Sequence, residues 1–502
     1  MPRQLPYPKD GDWSFQDLEA YHQEIARVAA YYGLDTYPNQ IEVVDAAQML
    51  EACASSGAMP INYRHWSFGK SYLRDHAAYQ KGHMGLAYEV VVNANPCIAY
   101  LMEDNNLMMQ ALVMAHACYG HNSFFKGNYL FKEYTHADSI IEYLRYAKEY
   151  VEMCEERYGY GRVERILDAA HSLQHFSVDR YKRKRSLTEA QEMERLRAKI
   201  RDREEHFSPL WGSHDEAEER ARNEALARKS RDGYLAEPEE NLLYFIEKNA
   251  PKLQKLEREI IRIVRMIGRY FYPQMQTQVM NEGWACFWHY HILYHLHREG
   301  LLGAGFMMEF LASHTSVVFQ LDHKDKRYRG INPYALGFEM FMDIKRVCES
   351  PTDEDRTWAP WLAGKNWQEM LPEAMRNYRD ESFIRQYLSP SLMRKWRMFA
   401  VTSGRSDDFY AVDYIANDAG YDGIREKLAD QYLHSNRMPD IQVVRADMNG
   451  DRKLLLRYTS KAGSALERKS LQKTLAYCKH LWGYPVEIER LDNETGEIKK
   501  IM

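Results

Sequence analysis

The chain has 502 residues, 45 % of them apolar and 28 % charged, with a net charge of −5. That balance excludes a disordered, collagen-like or membrane-embedded chain. It also gives no global pull towards phosphate backbones, so neither nucleic acid nor a membrane span is expected. Met1 to Tyr7 has no apolar core of a secretory signal, and the seven scattered cysteines form no C-x-x-C pair. A cytoplasmic, reducing location without a disulfide framework is expected.

From Trp13 to Leu50 the spacing predicts a helix, with Leu18, Tyr21, Ile25, Val28 and Ala29 on one face. Asn62 to Gln80 is rich in aromatic rings, and Tyr63, Trp66 and Tyr72 are candidates, with Trp284, to line a groove. Leu86 to Val92 reads as a strand stopped at Asn93-Ala94-Asn95-Pro96. Alternation places Ala87, Glu89 and Val91 on one face. Glu89 is then either an edge charge or a group beside a substrate lying along the strand.

Asn105-Asn106 precede an almost wholly apolar helix, Leu107 to Tyr119, closed by His116 and His121. On an ideal α-helix a gap of five residues separates side chains by about 140°, too wide to share a metal. A π-bulge would bring them together, and so would a fold-back at Gly120. Without either, the pair is two hydrogen-bonded core histidines.

A helix is expected from Arg162 to Phe176, carrying His171 and His175. His171 is a further candidate ligand if its helix packs beside the first pair; otherwise it is a surface residue. Asp179 to Asp232 is charge-dense and includes Lys182-Arg183-Lys184-Arg185. It reads as a solvated helical insertion or hinge, or as a basic docking site.

Amphipathic helices follow from Glu240 to Tyr272, before Pro273. The next long helix, from about Asn281 to Gly300, places Glu282, Ala285, Cys286, His289, Leu293 and Leu296 on one broad face. A carboxylate among apolar neighbours needs a metal, a cation or a proton; the competing role for Glu282 is helix capping. His289 is a candidate further ligand or proton carrier. His291 and His295 read as partly exposed structural residues. After further helices to His434, two hairpins around Asn449-Gly450 and Asn493 flank a helix from Leu466 to Trp482.

The expected fold class is mainly α. It is a large helical domain with a short strand region near residues 86–92, open to a zincin-like arrangement, plus a small C-terminal α+β domain. The expected divisions are 1–178, a charged insertion at 179–239, a helical part at 240–434 completing the core, and 435–502.

Several stretches resemble the SpoVR family, named for stage V sporulation protein R. They are His116-Ala-Cys-Tyr-Gly-His-Asn-Ser-Phe-Phe-Lys126, Glu240 to Ala250, Gln276 to Ala285, Ile331-Asn-Pro-Tyr-Ala-Leu-Gly-Phe338 and Gly450 to Tyr458. The resemblance implies a role in cortex formation, hence peptidoglycan, or in envelope and stress physiology. It also implies a PrkA-like serine kinase and a von Willebrand A-type protein as partners. Asn281 to Ala285 is similar, more loosely, to the segment giving the third zinc ligand in gluzincin-type metallopeptidases. The order of strand, two-histidine helix and glutamate helix is the same. The histidine spacing differs, and no glutamate adjoins the first histidine.

The expected site is therefore a divalent metal, zinc by donor type, held by His116, His121 and Glu282 with His171, and served by His289 and Glu89 as catalytic groups. The expected reaction is hydrolysis of an amide in a peptide or cell-wall precursor. The alternative is a non-enzymatic regulatory scaffold that docks partner proteins. A di-iron bundle is disfavoured, because no Glu-x-x-His pair occurs twice.

Overall fold

The computed structural model describes residues 4–8, 12–54, 62–68, 70–71, 73, 89–180, 233–322, 325–328, 330–398, 401–402, 411–412, 418–433, 438–460, 466–493 and 495–501. Tyr72, Leu86 to Tyr88 and the basic run Lys182 to Arg185 lie outside the described residues, as does nearly all of the charged insertion. The chain forms two compact units, one of residues 1–153 and 270–437, the other of 154–269 and 438–502. It is mainly helical, with a C-terminal region of strands and a helix.

In the first unit the helix expected over Trp13–Leu50 is three elements: helix Phe15–Tyr31, strand β1 (Asn39–Val44) and helix Ala46–Ala54. Ser14 caps the first helix by a reciprocal bond with Asp17. Its buried residues are Leu18, Tyr21, Ile25, Val28 and Ala29, the face read from the spacing. Gly33, at φ +72, turns the chain towards β1.

Strand β2 (Glu89–Val92) pairs antiparallel with β3 (Cys97–Met102), and β3 pairs parallel with β1. The order β1-β3-β2 puts β2, and Glu89, at an edge of this sheet. β3 leads through Asn106, which caps the next helix at Met109 N, into Leu107–Met114 and the histidine-bearing turn.

The helix Gln278–Arg298 is the centre of the core and packs against the histidine turn, Phe15–Tyr31 and Pro333–Glu349. It meets Pro333–Glu349 backbone to backbone: a Cβ on Gly283 would lie 2.3 Å from the carbonyl carbon of Gly337. Only glycine at both positions permits that approach. Pro273 does not end the preceding helix, which runs Lys255–Gln276 with the proline inside its last turn. The break falls at Thr277.

In the second unit, the strands Ile498–Lys500, Val486–Asp492, Leu454–Ser460, Asp440–Ala446 and Tyr234–Glu239 form one sheet in that order. Both expected hairpins are present. The fifth strand comes from the end of the segment read as a charged helical insertion. Its Pro238 is tolerated because the strand lies at a sheet edge.

Candidate metal centre

The five-residue histidine gap is resolved by a π-helix, Ala115–His121, set between α-helical segments. The Asn122 amide reaches back five residues to the Ala117 carbonyl. This pattern turns residues five apart onto one side, and the His116 and His121 rings lie edge to face, 4.6 Å between centroids. Gly120 stays within the turn and does not fold His121 back. Its role is close approach: a Cβ there would lie 2.6 Å from Ala285 Cα.

Opposite the pair stands Glu282. Its carboxylate lies 3.8 Å from His116 Nε2 and 3.6 Å from His121 Nε2. The capping role weighed for Glu282 belongs to Asp380, whose two carboxylate oxygens accept from Val279 N and Met280 N. Glu89 completes the group, with Oε1 3.3 Å from His116 Nε2. Its Oε2 is buried without a hydrogen-bond partner. The side chains of Glu89 and Glu282 keep 19 % and 20 % of their surface exposed, while His116 and His121 are buried.

The two carboxyls are driven apart. Burial, and then the charge of Glu282, pushes Glu89 well above its ordinary value. Burial alone would raise Glu282 too, but His121 and His116 outweigh it and hold the group below the usual range. Burial brings His116 down to about 4, so it is a neutral imidazole with a lone pair to offer.

For His121 a hydrogen bond fixes the nitrogen that is free to accept. Asn281 Oδ1 accepts from His121 Nδ1 at 2.9 Å, which leaves Nε2 facing Glu282. His116 Nδ1 lies 2.8 Å from His289 Nδ1, and His289 Nε2 lies 2.7 Å from His314 Nδ1. His289 therefore stands behind His116. Tyr334 donates its hydroxyl to Glu282.

Two donor groups emerge among the described residues: Glu89, His116 and His121, and His116, Cys286 and His289, each with its ligand atoms within 4.8 Å of one another. These His, Cys and Glu side chains can bind a metal ion. His171 belongs to neither group. It lies in the second unit, with Nδ1 facing Gln174 Oε1 at 3.3 Å. Trp284 does not line a groove. It is a core ring, 1 % exposed, whose Nε1 donates to Ser123 Oγ. Tyr63 is likewise buried, while Trp66 is exposed. His291 stacks on Phe287 and bonds its carbonyl, a structural role.

His314, Tyr334 and Asn281 escaped the sequence reading. His314 sits at helical spacing from Met307 and Phe310, a lone imidazole on an apolar face. Asn332 before Pro333 marks a helix start, but nothing in that pattern aims the Tyr334 ring at Glu282.

Cys97, Cys118, Cys286, Cys348 and Cys478 are free and buried. No helix among the described residues is long and apolar enough to cross a membrane. No solved structure matches the chain. "Uncharacterized protein YcgB" of Escherichia coli (strain K12) is 52 % identical over 488 residues, covering 97 % of this chain and 94 % of that protein. The family profile described as "SpoVR like protein" matches residues 12–437, and "SpoVR-like C-terminal domain" matches 439–493. Taken with the His116–Phe125 and Asn281–Ala285 stretches that build the centre, these matches establish that the chain belongs to the SpoVR family.

Proposed function

We propose that this protein is a zinc-dependent hydrolase of an amide bond in a peptide or cell-wall precursor, with His116, His121 and Glu282 holding the cation. The convergence of these donors with Glu89, from a strand edge, a π-turn and a distant helix, carries the reading. A tetrahedral zinc ion with bonds of about 2.0–2.2 Å spaces its ligand atoms about 3.4 Å apart. The two Glu282 separations, 3.6 and 3.8 Å, close to that with small side-chain shifts. The unpartnered Glu89 Oε2 adds a polar atom that the protein itself leaves unsatisfied.

Zinc would supply Lewis acidity, which polarises a carbonyl and makes water a better nucleophile. The remaining work belongs to the chain. Glu89 takes the place of the glutamate missing beside His116: its Oε2 accepts a proton from water and returns it to the leaving nitrogen. Burial and the charge of Glu282 displace Glu89 upward, the direction that makes its carboxylate a stronger base. Tyr334 and Asn281 hold Glu282 and His121 in position. Strand β2, paired on one side by β3 alone among the described residues, offers an edge for an extended substrate chain. In this reading the protein acts in the cytoplasm, beside the PrkA-like kinase and von Willebrand A-type protein that the family resemblance suggests.

The test is zinc content by mass spectrometry, together with release of new amines from a panel of peptides and muropeptides. His121→Ala and Glu282→Gln each lose one equivalent of zinc and the activity. Glu89→Gln keeps the zinc and loses about 100-fold or more in rate. Undiminished zinc in both His121→Ala and Glu282→Gln would sink the reading.

A further inference from the structure

We infer that Cys286 and His289, with the far nitrogen of His116, form a second cation site, for a thiophilic ion of the Zn²⁺ or Cu⁺ class. The site is built from positions the helix fixes. Cys286 and His289 are three residues apart on the helix Gln278–Arg298 and so share a face. The π-turn brings His116 against them, and one ligand atom from each of the three lies within 4.8 Å of the others. All three side chains are buried, Cys286 completely.

Two features separate this cysteine from the other buried thiols. Among the described residues, Cys286 is the cysteine grouped with imidazoles. The nitrogens beside it are also oriented for a cation. His314 Nδ1 faces His289 Nε2 at 2.7 Å, so that a proton on Nε2 leaves a lone pair on His289 Nδ1. That lone pair faces His116 Nδ1 at 2.8 Å, and the two nitrogens hold one proton between them. A cation replaces that proton and the thiol proton, and both pass to solvent; no electron changes hands. The imidazole pair must open by about half an ångström or more to admit the ion. Thiolate and imidazole donors select soft or borderline metals, and the thiolate distinguishes this group from the carboxylate-bearing one beside it. His116, with one nitrogen towards each group, bridges the two. The proposal shares that residue with the hydrolase reading and otherwise stands apart from it.

The test uses the full chain, reduced and stripped of metal, titrated with Zn²⁺ and separately with Co²⁺ as a spectroscopic probe. The wild type takes up two equivalents and shows a near-ultraviolet thiolate-to-cobalt band. Cys286→Ser loses one equivalent and the band; Glu282→Gln loses one equivalent and keeps the band. In the wild type, Zn²⁺ slows alkylation of Cys286 at least tenfold, mapped by peptide mass, a readout that needs no variant to fold. A wild type without the band, or alkylation of Cys286 indifferent to Zn²⁺, overturns the proposal. A band lost in Cys286→Ser, with zinc content unchanged in Glu282→Gln, upholds the thiolate site and removes the hydrolase site instead.

Discussion

Gly120 and Ala285 meet at backbone distance: a Cβ on Gly120 would stand 2.6 Å from Ala285 Cα and 2.7 Å from its Cβ. The helix carrying Glu282 lies against the π-turn at the point between His116 and His121, so the spacing of these three side chains depends on this contact. Gly120→Ala cannot be absorbed by a flexible side chain. It should destabilise the fold by about 1–3 kcal/mol, the usual cost of overpacking. It should also weaken metal binding by moving Glu282 away from both imidazoles. Differential scanning calorimetry and zinc titration check this together; an unchanged zinc affinity would mean that the helix spacing does not set the site.

Asn281 orients the imidazole of His121. Its Oδ1 accepts from Nδ1 and so reserves Nε2 for the face shared with Glu282. Removing such an orienting partner costs about 10–100-fold in affinity. Asn281→Ala should lose that much, Asn281→Asp should retain most of it, and His171→Ala should lose none. Competition titration against a chromogenic chelator separates the three.

Three buried imidazoles tie stability to pH. Burial, with a contribution from His121, brings His116 down to about 4; burial and then His116 bring His314 to about 4; His289 is pushed well below its ordinary value by burial first. In the unfolded chain each takes up its proton near pH 6.5. Between those limits the unfolded state binds more protons, so the stabilising contribution is full above about pH 6.5 and falls away as pH drops towards 4. The slope is at most about 1.4 kcal/mol per pH unit for each proton taken up. Glu89, Glu282, Cys286 and Tyr334 face the same cluster, and of these Glu89 contributes the opposite sign. Denaturant midpoints of metal-free protein at pH 7 and pH 5 should differ clearly, and His314→Gln should flatten the difference. Equal slopes in both proteins would show that the imidazoles do not carry it.

Periodicity exposed the inward face of Phe15–Tyr31 and the Asn449-Gly450 hairpin, because local patterns and turn chemistry fix both. β1 and β3 stayed hidden for different reasons. Asn39–Val44 is short and follows a helix whose pattern runs on into it. Cys97–Met102 is a continuous apolar run, which does not distinguish a buried strand from a helix. His116, His121 and Glu282 were legible as chemistry out of place in apolar helices. Their geometry was not, since a π-turn has no sequence signature and Gly120, Gly283 and Gly337 matter only through the backbones they let approach. His314 and Tyr334 were invisible because their partners are fixed by tertiary packing alone.

Glu89 is the residue at which stability and function should pull apart. Its carboxyl is displaced upward by burial and by Glu282. The unfolded chain ionises it above about pH 4.5, whereas the fold must either keep the proton or hold a second charge beside Glu282. Its stabilising contribution is thus full below pH 4.5 and is lost as pH rises. At neutral pH, Glu89→Gln removes that cost and keeps the shape. The metal-free variant should melt roughly 1–3 °C above the metal-free wild type, the scale of about 1 kcal/mol in a chain of this size. At pH 4 the gap should close, because the wild-type carboxyl is then protonated in both states. Zinc should narrow the gap at neutral pH, since a cation relieves the same repulsion in the wild type but has less to relieve in the variant. Calorimetry of both proteins, with and without zinc, at the two pH values measures all four cases; a metal-free variant that melts below the wild type at pH 7 would show that the charge on Glu89 is already compensated within the fold.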